Sequence, residues 1–540
     1  MKTLIARTLL AALAAGVVSA QPAAAQGEPL ALTLEEAVRR AVENNPDLAI
    51  VRLDTDVEAA RGGEAKTAFT PVFGTVLGRS STVTPPANFL LGERGVDVDD
   101  FFSSTGVRQR LPWGSGTWSI SWDTARTSTD NPLTSFDPTL ESGVQLAFSQ
   151  PLLRDRTIDS ARHQYAVSKR NVAASDLRFR EVVVQTIAAV KQAYWTLKAT
   201  RANVGVQQRS LDLARELSRE NKVRVDAGQI PPIDLVQAEA EVAQRRENLI
   251  RAQAAAGDAE DALRRLIVNP NDVGFWQVRI EAVDGLSPVN ELPDVDGAVA
   301  RALDQRYDIR RAGVDLENAT SEIAFLDNQR LPDVRFETSY RGNGLAGTQF
   351  LRGNGFPGPV IGTRNRSYGD ALGQAFSDDY PSWSVGVTVT YPIGQSLEEA
   401  SRVRAQIERR QVSSRIESLR IEAAETVRRA GRQVTSTAER VEAARAGAAL
   451  AQERLDSEQR RFEVGLSTTF LVTQAQRDLL EAQVNLLRTS LEFESALVSF
   501  EAVQQAPPIA AGAAVTVRGG NVVLVPTPAP RGLFRNGAGF

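Results

Sequence analysis

The chain has 540 residues, a formal net charge of −4, no Cys and only one His. A nearly balanced charge gives no reason to expect a nucleic-acid partner, and a chain without Cys cannot use disulfides for its stability. The single His, the missing Cys and the scattering of carboxylates along helix faces predict no catalytic residues, no metal site and no cofactor.

The first 25 residues have the pattern of a secretory signal peptide. Lys2 and Arg7 flank the start of an apolar run from Leu9 to Val18, and small residues then offer cleavage after Ala20 or Ala25. We therefore expect an exported protein. No later segment has the ~18 uninterrupted apolar residues of a membrane-spanning helix, so any membrane crossing has to use strands.

One structural unit occurs twice after the signal. Leu34 to Phe73 aligns without a gap on Val295 to Val334, and the turn sequence "VDAGQIPP" has its counterpart in "FEVGLSTT". Each copy predicts a helix, strands and a long helix–turn–helix, over residues 30–290 and 291–505. Residues 506–540 are rich in Pro, Gly and Ala and are predicted to form a disordered tail.

The long helices are predicted by apolar residues that recur three and four positions apart. Asp159 to Gly228 contains no Pro and as one helix would span roughly 100 Å. After each turn the apolar and Ala positions follow a heptad seam, from Leu235 to Leu263 with a break at Arg245, and from Val472 to Phe500. The pattern favours coiled-coil packing; solvated single helices are the alternative. His163, near the start of the first long helix, is interpreted as a residue of the strand-to-helix boundary.

Between the helices the apolar period switches to two. In "SWSVGVTVTY" five apolar residues alternate with small and polar ones, and an aromatic residue stands near each end. That is the pattern of a membrane β-strand with an aromatic girdle and a wet interior. The girdle candidates are Trp383, Tyr391, Tyr340, Trp118 and Trp122. For any single segment, a soluble sheet with one buried face is the alternative.

Two segments of the strand regions have no clear place in the repeat. The sequence leaves open whether the hairpin from Ser103 to Arg126 joins a barrel or decorates it. The Gly-rich segment from Gly342 to Asp370 is predicted to be a long exposed loop. Four matched strands per chain are too few to close a barrel, because about eight is the smallest bacterial single-chain number, so several chains have to contribute.

These features together resemble the TolC-like outer-membrane efflux protein family. They are "LTLEEAVRRAVENNPDLAIVR" (Leu32 to Arg52), "SQPLLR" (Ser149 to Arg154), the two long helical arms and "FEVGLSTTFLVTQAQ" around the second turn. The resemblance implies an α+β membrane protein: a homotrimer with a twelve-stranded outer-membrane β-barrel, continued by a long α-helical coiled-coil barrel that extends into the periplasm.

The resemblance also implies a function. In this family the channel is the exit duct of a tripartite efflux or type I secretion system. Substrates would arrive from an inner-membrane pump of the RND, ABC or MFS type through a periplasmic membrane-fusion adaptor, and the barrel would contact outer-membrane lipid. The alternative is a periplasmic coiled-coil adaptor or scaffold without a channel, which would have one hairpin inside a small β-domain and no lipid-facing strands.

By the same resemblance, the two helix turns are the periplasmic tips at which adaptor hairpins dock. A glycine permits the tight reversal, and a protruding apolar residue fits a groove of the partner. The predicted docking residues are Val464, Gly465, Leu466, Ser467, Gly228, Gln229 and Ile230. The alternative is a turn chosen only for its geometry, which would account for the glycine but not for an exposed Leu466. The first tip has no leucine directly after its glycine, and Ile230 is its candidate apolar contact. We therefore expect the two tips to dock unequally.

The periplasmic aperture is implied to lie just after each turn, at Asp234, Gln237, Phe470, Leu471 and Gln474. Members of the family usually place an acidic pair after the second turn, whereas this chain has Leu471 and Gln474 at the matching positions. Phe470 and Leu471 therefore predict an apolar constriction that closes by packing and dewetting. The alternative is that Leu471 only packs within the tip.

Overall fold

The computed structural model describes residues 30–85, 95–269, 271, 273–285, 293–377, 379–394, 396–505 and the backbone of 509–510, 513–518 and 521–526. The predicted signal peptide lies outside these residues. The helices are α1 (Leu34–Asn44), α2 (Pro46–Thr67), α3 (Ser160–Asp226), α4 (Pro232–Ile267), α5 (Val295–Gln305), α6 (Tyr307–Gln329), α7 (Tyr368–Phe376), α8 (Leu397–Glu463) and α9 (Thr469–Val503). The strands are β1 (Leu30–Leu32), β2 (Val72–Thr84), β3 (Val96–Arg110), β4 (Thr117–Thr129), β5 (Phe136–Pro151), β6 (Ile280–Ala282), β7 (Asp333–Arg352), β8 (Val360–Arg366), β9 (Pro381–Thr390), β10 (Ile509–Ala510), β11 (Ala513–Arg518) and β12 (Asn521–Pro526).

Two halves of the chain repeat one order of elements. Each half begins with two helices, continues into strands and ends in a 67-residue helix followed by a shorter one. The long helices begin at polar N-caps, because Asp159 accepts a hydrogen bond from the Arg162 amide and Ser396 accepts one from the Glu399 amide. With no Pro inside to stop them, α3 and α8 each continue for about 100 Å.

The predicted seams are the faces that the shorter helices bury against the rest of the bundle. On α4 the buried seam residues are Ala238, Leu249, Ala252, Ala259 and Leu263, and on α9 they are Val472, Ala475, Leu479, Thr489, Phe493, Ala496 and Phe500. Small side chains at many of these positions let neighbouring helix axes approach closely. Arg245, where the apolar seam breaks, is buried as well.

The middle of α3 lies in an extensive apolar core. Tyr194, Leu197 and Leu263 are fully buried there, together with residues of α1 and of the short parallel pair β1–β6. The Tyr194 hydroxyl donates to the Asp284 carboxylate at 2.7 Å, and the backbone amides of Leu34 and Asp284 complete this buried polar contact. Burial raises the pKa of Tyr194, so its hydroxyl keeps its proton and remains a hydrogen-bond donor.

The largest sheet of the described residues is antiparallel, in the order β2–β3–β4–β5–β7, with β9 and β8 following one another along the far edge of β7. Six strand positions therefore lie side by side, which is more than the four matched strands that the sequence suggested. The hairpin from Ser103 to Arg126, whose place the sequence left open, belongs to β3 and β4 in the middle of this sheet. Its strands escaped the repeat comparison because the second half contains no equivalent pair.

The segment from Gly342 to Asp370 is not the long exposed loop predicted from its glycines. It forms the second half of β7, then β8 and the start of α7. A Cβ on Gly342 would overlap the Ala375 carbonyl oxygen, and one on Gly344 would overlap that of Ala371. The prediction was wrong because these glycines permit the backbone of α7 to approach the strand closely instead of ending it.

The tail also differs in part from its prediction. Backbone strands β10, β11 and β12 pair as a separate three-stranded antiparallel sheet where the sequence suggested disorder. Valines on both sides of a Gly-Gly pair favour such a hairpin, a local signal that the overall Pro, Gly and Ala content obscured. Among the described residues, no helix has the length and apolar content to cross a membrane.

Candidate functional site: the paired helix tips

Both long hairpins reverse at a glycine in a left-handed conformation. Gly228 has φ +70° and Gly465 has φ +77°, and in each case the next residue closes the helix end. The Gln229 amide donates to the Arg224 carbonyl at 2.8 Å, and the Leu466 amide donates to the Arg461 carbonyl at 2.7 Å. This is the Schellman arrangement, in which a residue with positive φ satisfies carbonyls that the helix leaves unpaired.

The two tips enter their second helices differently. At the first tip Pro231 is the N-cap and Pro232 begins α4, so the missing proline amides leave fewer helix-end donors to satisfy. At the second tip the Thr468 hydroxyl accepts a hydrogen bond from the Leu471 amide, and the Ser467 hydroxyl donates to the Glu458 carboxylate at 2.8 Å. The second tip is therefore held by side-chain hydrogen bonds, and the first by proline stiffness.

The predicted docking residues expose unequal apolar surface at the two tips. Leu466 is 80% exposed and Val464 is 70% exposed, whereas Ile230 is half-buried. Gln229, which occupies the position of Leu466 in the first tip, is polar. A pair of protruding aliphatic side chains is thus present only at the second tip, among the predicted docking residues.

The tips lie together, because side chains of the first hairpin hold the second. The Arg224 guanidinium stacks 4.1 Å from the Phe462 ring centroid and donates to the Phe462 carbonyl at 3.3 Å. Deeper in, the Thr469 hydroxyl donates to the amide oxygen of Asn221, which is fully buried. Both hairpins therefore reach the same end of the molecule as a connected unit.

Three of the five predicted aperture residues line one groove between α4 and α9. Gln237, Phe470 and Gln474 lie around this opening of about 450 Å³. Phe470 is 66% exposed there, so the groove has an aromatic wall. Leu471 is 43% exposed but does not line the groove, and Asp234 is partly buried beside Asn221, whose side-chain amide donates to the Asp234 carbonyl.

Sequence reasoning missed a buried charge cluster on the same groove. Glu241 on α4 accepts hydrogen bonds from Arg477 on α9, with Nε 3.2 Å from Oε2, and its other oxygen lies 2.5 Å from Nη2 of buried Arg245. Burial alone would raise the pKa of Glu241, but the hydrogen bonds from Arg477 and the charge of Arg245 outweigh it, so the pKa lies below its ordinary value. The break in the apolar seam at Arg245 was the sequence signal that could have pointed to this cluster.

This chain shares its two repeats of strands and a long helical hairpin with a known protein family. The family model described as "Outer membrane efflux protein" matches residues 37–267 and 298–503, which covers both halves of the repeat. The chain belongs to the outer membrane efflux protein family. The efflux-channel function predicted from the sequence is thereby confirmed, and the adaptor or scaffold alternative is not supported.

Solved structures agree with the fold of an outer membrane efflux protein. A membrane protein from Pseudomonas aeruginosa matches with a TM-score of 0.64 and 17% identity, over 88% of this chain and 91% of that one. The Campylobacter jejuni CmeC outer membrane channel matches with a TM-score of 0.63 and 17% identity, over 87% and 85%. The open state of the Neisseria gonorrhoeae MtrE outer membrane channel gives 0.59 and 17%, over 88% and 89%. No curated protein sequence matches the chain.

Other sequence-predicted residues of this efflux protein lie in the sheet or at its base. Tyr340 is paired directly with Trp383, while Tyr391 follows the opposite end of β9. Trp122 and Trp118 lie on β4, in the rows on either side of the Tyr340–Trp383 row. His163 stacks on Phe325 of α6 with ring centroids 5.0 Å apart, and its Nε2 lies 2.8 Å from the Glu322 carboxylate. His163 thus packs α3 against α6.

Proposed function

We propose that three copies of this chain form the exit duct of a tripartite efflux or type I secretion system. Their sheets join into a β-barrel in the outer membrane, and their long helices continue as a tunnel into the periplasm. An inner-membrane pump of the RND, ABC or MFS class delivers substrates through a periplasmic membrane-fusion adaptor. The observation that carries this proposal is the position of both hairpin tips together at one end of helices about 100 Å long, with the sheet at the other end.

The two faces of the sheet support a location in the outer membrane. Trp383, Val385, Val387 and Val389 on β9 are each at least 59% exposed in the single chain. The opposite face of β9 has only Gly, Ser and Thr between its ends, and on that side of the sheet Arg341 donates to Asp123 at 3.1 Å. An apolar face toward lipid and a polar face toward a water-filled lumen is the arrangement of a membrane barrel, with Trp383, Tyr340, Trp122, Trp118 and Tyr391 as its aromatic girdle.

The second tip supports a role in adaptor docking. An aliphatic side chain that is 80% exposed at the end of a rigid hairpin loses little conformational freedom on binding and can fill a groove of a partner helix pair. Gly465 holds Leu466 in this position through the turn, and Val464 adds apolar area beside it. The first tip, with Gln229 and half-buried Ile230, contributes less to docking.

Binding of the purified chain to its adaptor tests this role. We expect Leu466→Ala to weaken the complex at least about tenfold, as loss of a central anchor does. Gln229→Ala removes the residue at the matched position of the first tip and serves as the control, with a change of less than about threefold. Equal affinities of wild type and Leu466→Ala would exclude the second tip as the main docking site.

The aperture is proposed to close by apolar contact. Phe470 and Leu471 are both exposed in the single chain, on the first turn of α9, and have no carboxylate at the next positions of that turn. Around a three-fold axis, three copies of each side chain would narrow the opening and exclude water without binding cations. Gln474 and Gln237 would then border this constriction as neutral polar groups, and Asp234 would be the nearest acidic side chain from the first hairpin.

A further inference from the structure

We propose that the β3–β4 hairpin is part of the membrane wall, so that three copies close into one barrel of eighteen strands through pairing of β2 in one copy with β9 in the next. This inference rests on the proposed trimeric channel. It departs from the twelve strands that the family resemblance implies, because the sheet of this chain has six strand positions instead of four.

Cross-strand rows show that the hairpin has the same two faces as the strands around it. One row of directly paired residues crosses all six positions and is apolar throughout: Phe73, Val107, Ile120, Leu146, Tyr340 and Trp383. The adjacent row on the opposite face contains only glycine and polar residues: Gly74, Gly106, Ser121, Gln145, Arg341 and Ser382. Since successive residues of a strand point to opposite faces, β3 and β4 continue the apolar face of β9 at the level of this row.

The hairpin also spans the same height as its neighbours. β3 has 15 residues and β4 has 13, and a tilted membrane strand needs about 9–11. The turn between them reaches the strand-to-helix boundary, where the Ser115 hydroxyl donates to the Asp155 carbonyl at 2.7 Å and Gln150 donates to the Gly114 carbonyl at 2.7 Å. Ser115 is buried, and its hydroxyl oxygen also lies 2.5 Å from the N-cap carboxylate of α3, Asp159, so the two acceptors share its one proton. The hairpin is therefore fixed at the base of the sheet.

The two outer edges of the sheet require a partner. Among the described residues β2 pairs only with β3 and β9 only with β7, and nearly all residues of both edge strands are exposed in the single chain. Lipid offers no hydrogen bonds to open strand edges, so a membrane sheet has to close on itself. With six alternating strand directions, β2 and β9 run in opposite directions. A second copy of this chain can therefore continue the antiparallel sheet, and each added copy keeps the strand number even.

The consequence is a wider pore. Barrel diameter grows roughly linearly with strand number, so eighteen strands give a diameter about 1.5 times that of twelve and about twice the cross-section. Barrels of this size leave an aqueous channel, whereas small barrels fill with side chains. The outer-membrane end of this duct would thus admit bulkier cargo than a twelve-stranded barrel, and the width limit would lie at the helix tips.

Single-cysteine labelling in outer membranes tests whether the hairpin is in the wall, and the cysteine-free chain provides a clean background. We expect a charged, membrane-impermeant maleimide to label Ser121→Cys on β4 and to leave Ile120→Cys protected until the membrane is dissolved. Gly386→Cys and Val385→Cys on β9 are the matched pair on a strand of the proposed barrel. If labelling alternates between the two positions of β9 but not between those of β4, the eighteen-stranded barrel is wrong, while the proposed channel is still supported. If labelling alternates on neither strand, the proposed membrane channel is wrong as well.

Disulfide formation and mass give a second, independent readout. Thr75 and Thr105 are directly paired, with their hydroxyl oxygens 2.8 Å apart, while Val144 lies two strands beyond Thr105 in the same row. We expect Thr75→Cys/Thr105→Cys to form an intrachain disulfide in the assembled protein and Thr75→Cys/Val144→Cys to remain reduced. The opposite result would mean that β2 pairs with β5 and that the hairpin is outside the wall. The mass of the assembly must correspond to three chains, and any other copy number would overturn the strand count.

Discussion

At the scale of single residues, the shape of each tip depends on the backbone conformation of one glycine, and the two tips differ in the side chain that follows it. Gly228 and Gly465 adopt the same left-handed conformation and close the same type of helix end. A Cβ at either glycine would meet nothing within 4 Å, so glycine is required by φ and not by space. The difference between the tips lies in the next residue, Gln229 or Leu466, which the turn places in the same position.

Replacement of the second turn glycine tests the conformational requirement. We expect Gly465→Ala to destabilise the tip by about 1 kcal/mol, because Ala is strained at positive φ, and to make the amides of the last turn of α8 exchange about fivefold faster. Gly447→Ala is the control, since Gly447 lies inside α8, has open space around it and gains helix propensity. Faster exchange in the control, or none in Gly465→Ala, would contradict the argument.

Leu471 provides a test of the proposed apolar constriction. We expect Leu471→Ser to raise the closed-state conductance in planar bilayers, because a hydroxyl would keep water in a narrow opening that the leucine excludes. Leu450→Ser, at an exposed position within α8 and away from the tip, should leave the closed-state conductance unchanged. An unchanged conductance of Leu471→Ser would mean that Leu471 only packs within the tip.

At the scale of elements, the two hairpins are joined by a charged contact between α4 and α9. Glu241 is buried, Arg245 on the same helix is buried beside it, and Arg477 reaches across from the other hairpin. A buried carboxylate is tolerated here because two guanidinium groups face it. The contact thus couples the start of α4 to the start of α9, the two segments that border the predicted aperture.

Removal of the cross-hairpin partner should loosen this coupling. We expect Arg477→Gln to destabilise the contact by about 1 kcal/mol, a low value for a charged hydrogen bond because the arginine is half exposed, and to speed amide exchange in the first turns of α4 and α9 about fivefold. Arg488→Gln removes an exposed α9 arginine that pairs with Glu492 within the helix, and should change exchange less than twofold. Similar effects of both variants would show that the contact with Glu241 has no special role.

The same contact predicts a dependence on acid pH. Because the pKa of Glu241 in the folded protein lies below its ordinary value of 4.5, the folded state binds this proton less readily than the unfolded state. The stabilisation is therefore complete above pH 4.5 and is lost as the pH falls through the folded pKa. We expect the ratio of exchange rates between Glu241→Gln and wild type to approach one in acid. A ratio that does not change with pH would assign the stabilisation to packing alone.

At the scale of the whole molecule, a sheet with an exposed apolar face and a helical bundle share one chain of nearly balanced charge without Cys. The single chain exposes aromatic and aliphatic residues along β9 and leaves two sheet edges open, and in the proposed membrane channel the assembly supplies the missing contacts. We expect the protein to fractionate with outer membranes and to migrate as a trimer on gels until heated. Recovery as a periplasmic monomer would contradict the proposed assembly.

Local patterns were sufficient for the parts of this protein that repeat or alternate. The period of three and four predicted the two long helices, the period of two predicted β9, and the glycines at 228 and 465 predicted the turns. Each of these signals is contained within a few turns of helix or one strand, so no distant partner was needed to recognise it. The family resemblance rests on the same signals, since the repeat places them in a fixed order.

Contacts between residues far apart in the chain could be recognised only in the tertiary structure. The place of β3 and β4 in the sheet, the packing of α7 on Gly342 and Gly344, and the contact of Glu241 with Arg477 all join segments that no local period connects. A glycine is equally compatible with the end of a strand and with a close backbone approach. A buried arginine in an apolar seam requires a partner for its charge, but the local sequence does not identify that partner. The sequence alone thus determined the long helices, the turns, the matched strands and their order, while long-range pairing determined the width of the sheet and the contacts that hold the tips together.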